Sequence, residues 1–497
     1  MDIYLFLLSW SPVLVLTVLA VILRRSALEL SVYGYVFSLA LVLWFFDTAP
    51  LIVIMASLDG VLTTLPLLFV ILAGILLSSL LMTTGSIKRI VEWFESGAGD
   101  SFSRNLLITF GVGNFMEGSG VIAEPVVAPM LHAAGVSPTG SAALSIIGYS
   151  GLMTLELAGI IVTVLSLVTG LPIRELGIAS AWLSVPATLA MALCAPVFLP
   201  EKGWEARNLV AVLLTGLLLG LIALVTAVLV GIPVSGTLAG LAVIFAFIVI
   251  GAGGLQINRE ILVDLAPFLF MLVCLLCVNM VPYLHELTSK KLICLVSVIP
   301  GRTVTFSPLF SAYVYLFLAF LISARLQKVP WSQLKSVANS SIKKGWRVFV
   351  AMGLFGAMGQ MISYTGYNSD FSHVDALHNI PSIISKGLSL YTGSYYPIFV
   401  PVLGWVGTFL TGYGVASLML FGQLQVQAAT LLGVGPVWLA AALAVGSSIG
   451  SISSPFKIAL ATPMCGAIGK EGDILRWTIP LGISASLFVG IVLWVFI

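Results

Sequence analysis

Gly-Asn-Phe-Met-Glu-Gly-Ser-Gly-Val, residues 113 to 121, returns in skeleton as Gly-Thr-Phe-Leu-Thr-Gly-Tyr-Gly-Val at residues 407 to 415. Gly113, Phe115, Gly118, Gly120 and Val121 coincide with Gly407, Phe409, Gly412, Gly414 and Val415. Both copies interrupt long apolar runs with glycine, and the first carries a carboxylate, Glu117, where hydrocarbon is the expected surrounding. An ionisable group at that depth is a functional hypothesis in its own right.

The surrounding chain justifies the word depth. Its 497 residues are 59% hydrophobic and 8% charged, with mean hydropathy +1.13, which excludes a water-soluble globule of this length. Apolar runs of spanning length, about 20 residues, recur from Ile3–Leu23 to Ile474–Ile497, and their number points to ten to fourteen crossings. The first run has Asp2 before it, with no basic leader and no small-residue cleavage site, so it reads as a retained helix. The net charge of +2 gives no nucleic-acid signal. The cysteines at 194, 274, 277, 294 and 465 lie in or beside apolar segments. Cys274-x-x-Cys277, inside one apolar run and with no second pair, reads as packing.

Charge at the ends of the runs orients them. Arg24 and Arg25 close the first helix on the cytoplasmic side by the positive-inside rule, placing the N-terminus outside. Spans are expected at Val32–Phe46 and Pro66–Met82, joined by a return through Asp47, Pro50 and Asp59. Ser86–Arg104 reads as cytoplasmic, with an amphipathic interfacial helix. Scaffold spans follow at Ile178–Leu199, Leu209–Val230, Leu238–Ile250, Ile261–Val281 and Thr303–Ser323. Arg325–Arg347, with six cations in 23 residues and no acid, is expected to be a cytoplasmic connection. The connection Gly366–Ser394, after a span at Val348–Tyr364, faces outward.

From Asn105 to Gly170 the apolar sequence is broken too often by glycine and proline for straight helices, which points to a discontinuous helix or re-entrant hairpin lining a cavity. The first glycine motif is entered from a cytoplasmic connection and the second from an external one, so the two units are inverted. Gly135-Val136 matches Gly433-Val434, and Gly148 matches Gly446, at a spacing of 298. The predicted fold is therefore an all-α polytopic membrane protein with inverted-topology repeats. The first repeat takes residues 1–230 (broken segment 105–170), connecting scaffold 231–300, and the second repeat 301–497 (broken segment 397–470). Such paired broken segments point to a secondary transporter with its site near the midplane.

The embedded ionisable residues are Glu117, Glu124 and Glu156 in the first repeat and Lys457 in the second. Repeat alignment sets Ser454 opposite Glu156 and Gly159 opposite Lys457. A buried ammonium needs a partner. Three roles stand open for Lys457: an ion pair locking two segments, a cation for a substrate carboxylate, or a built-in substitute for a coupling cation. For Glu117 two stand open, a carboxylate held by backbone amides of the broken helix and a proton-titrating group. His132 is a further proton carrier or a carbonyl-satisfied ring. The hydroxyls and free amides from Gly446 to Ser454 suit an anion. No metal cluster or nucleophile–base pair marks an enzyme, and no cofactor is expected.

Gly-Trp-Val-Gly-Thr-Phe-Leu-Thr-Gly at 404–412, Phe421 with Leu424-Gln425, Ser454-Pro455 and Gly-Lys-Glu-Gly-Asp-Ile-Leu-Arg at 469–476 resemble the C-terminal signature of the L-lactate permease family. Phe115-Met116-Glu117-Gly118, with Pro125 beyond it, and Val168-Thr-Gly-Leu-Pro-Ile resemble its N-terminal blocks. The resemblance covers nearly the whole chain. It implies proton symport of small 2-hydroxy monocarboxylates such as lactate or glycolate across the cell membrane, by an elevator movement of a transport domain against a scaffold, often in homodimers. The expected substrate contacts are Lys457, Ser453, Ser454, Gly118, Gly120, Thr411, Gly412, Ser417 and Gln425, with Glu117, Glu124 and Glu156 in proton coupling. Three departures accompany it: Glu124 is an added acid in the first loop, Leu418 replaces an amide, and Lys457 stands where a small or polar residue is usual. Glu124 and Lys457 together conserve charge, as one coupled change of site chemistry would. The alternatives are a passive anion channel, a sensor that binds without transport, or a transporter of another carboxylate or sulfonate with other or no ion coupling.

Overall fold

In the computed structural model the residues described are 3–19, 23, 25–96, 100–200, 204–251 and 258–497. Asp2 and Arg24 lie outside them. The chain opens with α1 (Ile3–Ser9), α2 (Ser11–Thr17) and α3 (Ala27–Trp44), the last begun by a capping box between Ser26 and Glu29. The 34-residue α4 (Pro50–Thr83) leads to the short α5 (Ser86–Ser96). α6 (Ser101–Leu106), a π-helical turn at Leu107–Val112 and α7 (Gly113–Gly118) form one interrupted rod. After a gap come α8 (Glu124–Ala133), α9 (Pro138–Ser150) and, past an unwound stretch, α10 (Ile160–Thr169).

Longer helices follow: α11 (Ile173–Cys194), α12 (Ala206–Leu229), α13 (Ser235–Ile250) and α14 (Arg259–Met280). The turn α15 (Pro282–Glu286) precedes a hairpin of β1 (Cys294–Val296) and β2 (Val304–Phe306), then α16 (Ala312–Leu326) and the 33-residue α17 (Trp331–Ser363). α18 (Ile380–Thr392), α19 (Tyr396–Thr411), α20 (Gly414–Leu432), α21 (Pro436–Ile449), α22 (Pro455–Ala461) and α23 (Glu471–Phe496) complete the chain.

Among the described residues eight helices are long and apolar enough to cross a membrane, with three shorter apolar ones at Leu28–Trp44, Leu157–Thr169 and Ala312–Leu326. The all-α polytopic reading holds. The amphipathic helix stands as α5, with Ile87 and Ile90 buried. Its Arg89 reaches the buried Asp264 of α14 through two hydrogen bonds of 2.6 and 2.7 Å.

Three expectations need correction. The return after α3 is shorter than expected: it spans Phe45 to Ala49, with Asp47 at φ +45°, and α4 then runs from Pro50 through Asp59 and Pro66 without interruption. Asp59 tolerates burial there because Arg302 meets it at 2.8 Å. Residues 303–306 do not begin a span. Pro300 and Gly301, the latter at φ +76°, turn the chain so that Cys294 pairs with Phe306 and Val296 with Val304. That hairpin carries Arg302 back to α4. Nor is the basic segment up to Arg347 chiefly a connection. From Trp331 onward it is the first half of α17, because Lys and Arg favour helix as well as polar surroundings.

Glycine sets how closely the rods approach. A side chain on Gly60 would lie 2.2 Å from the Gly356 carbonyl oxygen, so α4 and α17 touch backbone to backbone there. On Gly446 it would lie 2.0 Å from the Pro401 carbonyl oxygen, where α21 crosses α19. Small residues at membrane helix crossings allow this contact.

Candidate functional site

Each glycine motif ends one half of a hairpin. In the second copy α19 stops at Thr411, Gly412 adopts φ +84°, and α20 starts at Gly414. The two helices return on each other: Ser417 Oγ donates to the Gly404 carbonyl at 2.9 Å, and Tyr396 Oη donates to Gln425 Oε1 at 2.9 Å. In the first copy α7 stops at Gly118, Gly120 adopts φ +77°, and α8 starts at Glu124. Arg104 Nη2, on the way in, lies 3.4 Å from the Ala134 carbonyl on the way out. Both copies of the glycine motif therefore sit at the turn of a helical hairpin.

The chain after each hairpin is a helix that loses its hydrogen-bond ladder midway. The unwound stretch between α9 and α10 has left-handed residues at Leu157, Ala158 and Gly159, and the one between α21 and α22 carries Ser453 and Ser454. The two stretches cross in opposite directions. Thr154 Oγ1 donates to the Ala444 carbonyl at 3.0 Å and contacts the Ser448 hydroxyl; Ser451 Oγ lies 3.0 Å from Met153 Sδ; Lys457 reaches Tyr149. As one residue number rises its partner's falls.

Lys457 Nζ donates to Tyr149 Oη at 2.8 Å, lies 4.6 Å from the centre of that ring and stands 3.6 Å from Glu124 Oε1. Tyr149 Oη in turn donates to Glu124 Oε1 at 2.5 Å. A buried ammonium, a phenol and a carboxylate thus tie the start of α8, the end of α9 and α22 together. Glu117 bridges the first break, its Oε1 accepting from the Ala123 amide at 2.8 Å. Glu156, wholly buried at the unwound stretch between α9 and α10, has no hydrogen-bond partner for either oxygen among the described residues, and its stem packs on Gly236 of α13.

Charge here does not balance. Of the buried acids, Asp59 and Asp264 each have their own arginine, at 2.8 and 2.6 Å. Glu117, Glu124 and Glu156 share Lys457, the single fully buried cation among the described residues.

The other expected contacts divide. Ser454 caps α22, its Oγ accepting from the Lys457 amide at 3.4 Å, and so positions that lysine. Thr411 closes the second tip, its Oγ1 donating to the Gly407 carbonyl at 2.7 Å. Gly412 packs on Phe456, and Gly120 on Leu316. Gly118 meets the backbone at Thr237, where a side chain would lie 2.3 Å from the amide nitrogen. Ser453 turns away, its Oγ donating to the Thr478 carbonyl at 2.8 Å and accepting from Trp405 Nε1 at 3.2 Å. Ser417 and Gln425 hold α19 against α20. His132 Nδ1 lies 3.2 Å from the Val136 carbonyl, the satisfied-ring reading. Tyr149 was not anticipated, nor was Asn114, whose Nδ2 donates to the Gly148 carbonyl at 2.8 Å and joins the first hairpin to α9. The only available signal was a tyrosine one residue after the repeat-matched Gly148.

Rods of membrane-spanning length packed around two interrupted segments, with ionisable side chains buried at their crossing, define a multi-pass membrane protein organised around an internal polar site. The chain belongs to the L-lactate permease family, whose model matches residues 5–252 and 258–497, and is a multi-pass plasma-membrane protein. It is 24% identical over 408 residues to an L-lactate permease of Streptococcus iniae, covering 78% of this chain and 82% of that one. An L-lactate permease of Escherichia coli strain K12 is 30% identical over 177 residues, 35% of this chain and 30% of the relative. The glycolate permease GlcA of the same strain is 28% identical over 214 residues, 43% of this chain and 36% of the relative. The matched segments thus span only about a third of these last two proteins.

Proposed function

We propose that this protein is a secondary active transporter of small organic anions, 2-hydroxy monocarboxylates of the lactate and glycolate type, moved with protons. The observation that carries the reading is the excess of buried carboxylates over cations where the broken segments cross. Three acids facing one ammonium in low dielectric require neutralisation by protons or another cation. A group that binds a proton on one side and releases it on the other supplies the coupling. Glu117 fills that role, with Glu124 and Glu156 beside it. Lys457, held by Tyr149 and positioned by Ser454, attends the substrate carboxylate. The names of the relatives support the substrate class, and the opposed course of the two unwound stretches supports inverted repeats over 1–230 and 301–497, with 231–300 between them and the broken segments moving as a transport domain, in a homodimer. Enzymatic chemistry plays no part in this reading.

Uptake of labelled lactate and glycolate into proteoliposomes, with and without an inward proton gradient, tests it. The gradient accelerates uptake of at least one of them; indifference to the gradient for every acid tried removes proton coupling. Glu117→Gln keeps an oxygen for the Ala123 amide but not the charge. Gradient-driven uptake is lost in that variant while counterflow exchange persists.

A transporter of a different small anion is favoured by the Glu124–Lys457 pair, which departs from the family pattern. Sulfonates and other carboxylates in the same assay, without lactate or glycolate uptake, support that reading.

A further inference from the structure

A cleft of about 640 Å³ opens beside the second hairpin tip. One wall is the start of α3, with Arg25, Ser26, Leu28 and Glu29; another is Trp346 to Val348 of α17; the floor is Phe409 to Tyr413 with Pro455, Phe456 and Ala459. Its walls are mostly apolar and its cations are Arg25 and Arg347. Arg25 is partly offset by Glu29 at 3.6 Å, whereas Arg347 lies against the Trp346 ring at 5.8 Å. α22 divides this cleft from the buried cluster. Pro455, Phe456 and Ala459 face the cleft, while Lys457 and Ile458 are buried on the other side.

Along that partition Tyr413 and Phe456 pack with ring centres 4.9 Å apart. The Tyr413 hydroxyl is buried without a hydrogen-bond partner among the described residues, and it lies within electrostatic reach of Glu124. A buried hydroxyl without a partner costs free energy unless something else meets it. Here it stands between a cationic cleft and an acid of the site.

We infer that this cleft is the cytoplasmic vestibule of the transport path, receiving a small organic anion near Arg25 and Arg347, and that the Tyr413–Phe456 pair is the barrier the anion passes to reach Lys457, meeting the Tyr413 hydroxyl as it does so. The inference rests on the transport reading for its cargo and, for its sidedness, on Arg25 just before α3 and the basic first half of α17. The volume suits an anion of a few heavy atoms with its water. An arginine at the mouth of an apolar-walled cleft concentrates anions there.

The test is cysteine accessibility in the full chain with its five native cysteines replaced, after uptake by that background has been verified. Ala459→Cys reports from the floor and Leu28→Cys from the opposite wall, so one misfolded variant does not end the experiment. Each is treated with membrane-impermeant anionic and cationic thiol reagents in inside-out and right-side-out vesicles. The expected result is modification from the cytoplasmic face, with the anionic reagent about tenfold faster through electrostatic focusing and Arg347→Gln removing that preference. Lactate or glycolate slows modification at Ala459→Cys. Modification from the outer face, or equal rates for both reagents, overturns the vestibule. Failure of the transport reading is distinguishable, because sidedness and charge preference are measured without substrate. Retained uptake with full hydroxyl-independent substrate affinity in Tyr413→Phe overturns the role given to that hydroxyl; a raised KM with an unchanged unfolding temperature bears it out.

Discussion

Lys457 shows what one residue imposes on its surroundings. Its ammonium has lost water and is held by Tyr149 at 2.8 Å and Glu124 at 3.6 Å. Lys457→Met leaves Glu124 with the phenol but no cation. Breaking a buried pair on one side costs about 3–5 kcal/mol, and the unfolding temperature in detergent is expected to fall accordingly. Glu124→Gln combined with Lys457→Met removes both charges and recovers part of that loss, while anion uptake stays absent. Additive losses in this double-mutant cycle would show that the two do not act as a pair. Tyr149→Phe, which deletes only the shared hydroxyl, costs about 1–3 kcal/mol in the same measurement.

At the scale of elements, the interruptions are held by backbone geometry and close packing. Gly446 and Gly433 both belong to the second copy, yet their substitutions should differ. Gly446→Ala drives a methyl to 2.0 Å from the Pro401 carbonyl oxygen, between two helices that have no room to separate locally. Gly433→Ala meets nothing within 4 Å and pays only for a left-handed residue at φ +69°, about 1 kcal/mol. Gly446→Ala is expected to abolish accumulation of folded protein, and Gly433→Ala to lower the unfolding temperature by a few degrees. Equal behaviour would undo the packing account of the crossing.

The connection between α17 and α18 offers a pH readout away from the membrane interior. A hydrogen bond from His378, whose Nδ1 lies 2.7 Å away, holds the Asp375 carboxyl below its usual range. A depressed carboxylate adds stability above its unfolded value and loses it as pH falls through the folded value. Amide exchange across Tyr367 to Asn379 should therefore quicken only when pH drops below the ordinary carboxylate range.

Over the whole molecule two kinds of buried charge are separated. Arg302 with Asp59 and Arg89 with Asp264 are paired one to one and tie distant elements together; among the described residues only the α8–α9–α22 crossing carries surplus acid. Asp59→Asn with Arg302→Gln is therefore expected to lower the unfolding temperature while leaving the pH dependence of uptake as it was. Glu117→Gln should do the reverse. A changed pH profile in the scaffold variant would show that coupling is not confined to the crossing.

Much of this was legible in sequence. Hydropathy required a membrane protein, the repeated Gly-x-Phe-x-x-Gly-x-Gly-Val located both hairpin tips, and an ionisable residue in an apolar run identified Glu117, Glu124, Glu156 and Lys457. Those signals are local, because the cost of burying charge or breaking a helix is set by the residue and its immediate neighbours. Only the tertiary structure decided which groups meet. It set Tyr149 between Lys457 and Glu124 across more than 300 residues of chain, returned Arg302 to Asp59, and turned Ser453 towards α23. Such contacts depend on how rods cross, and a one-dimensional pattern carries no crossing angle. Residues 113 to 121 announced a break in a helix; the fold made that break one side of a buried, charge-unbalanced crossing.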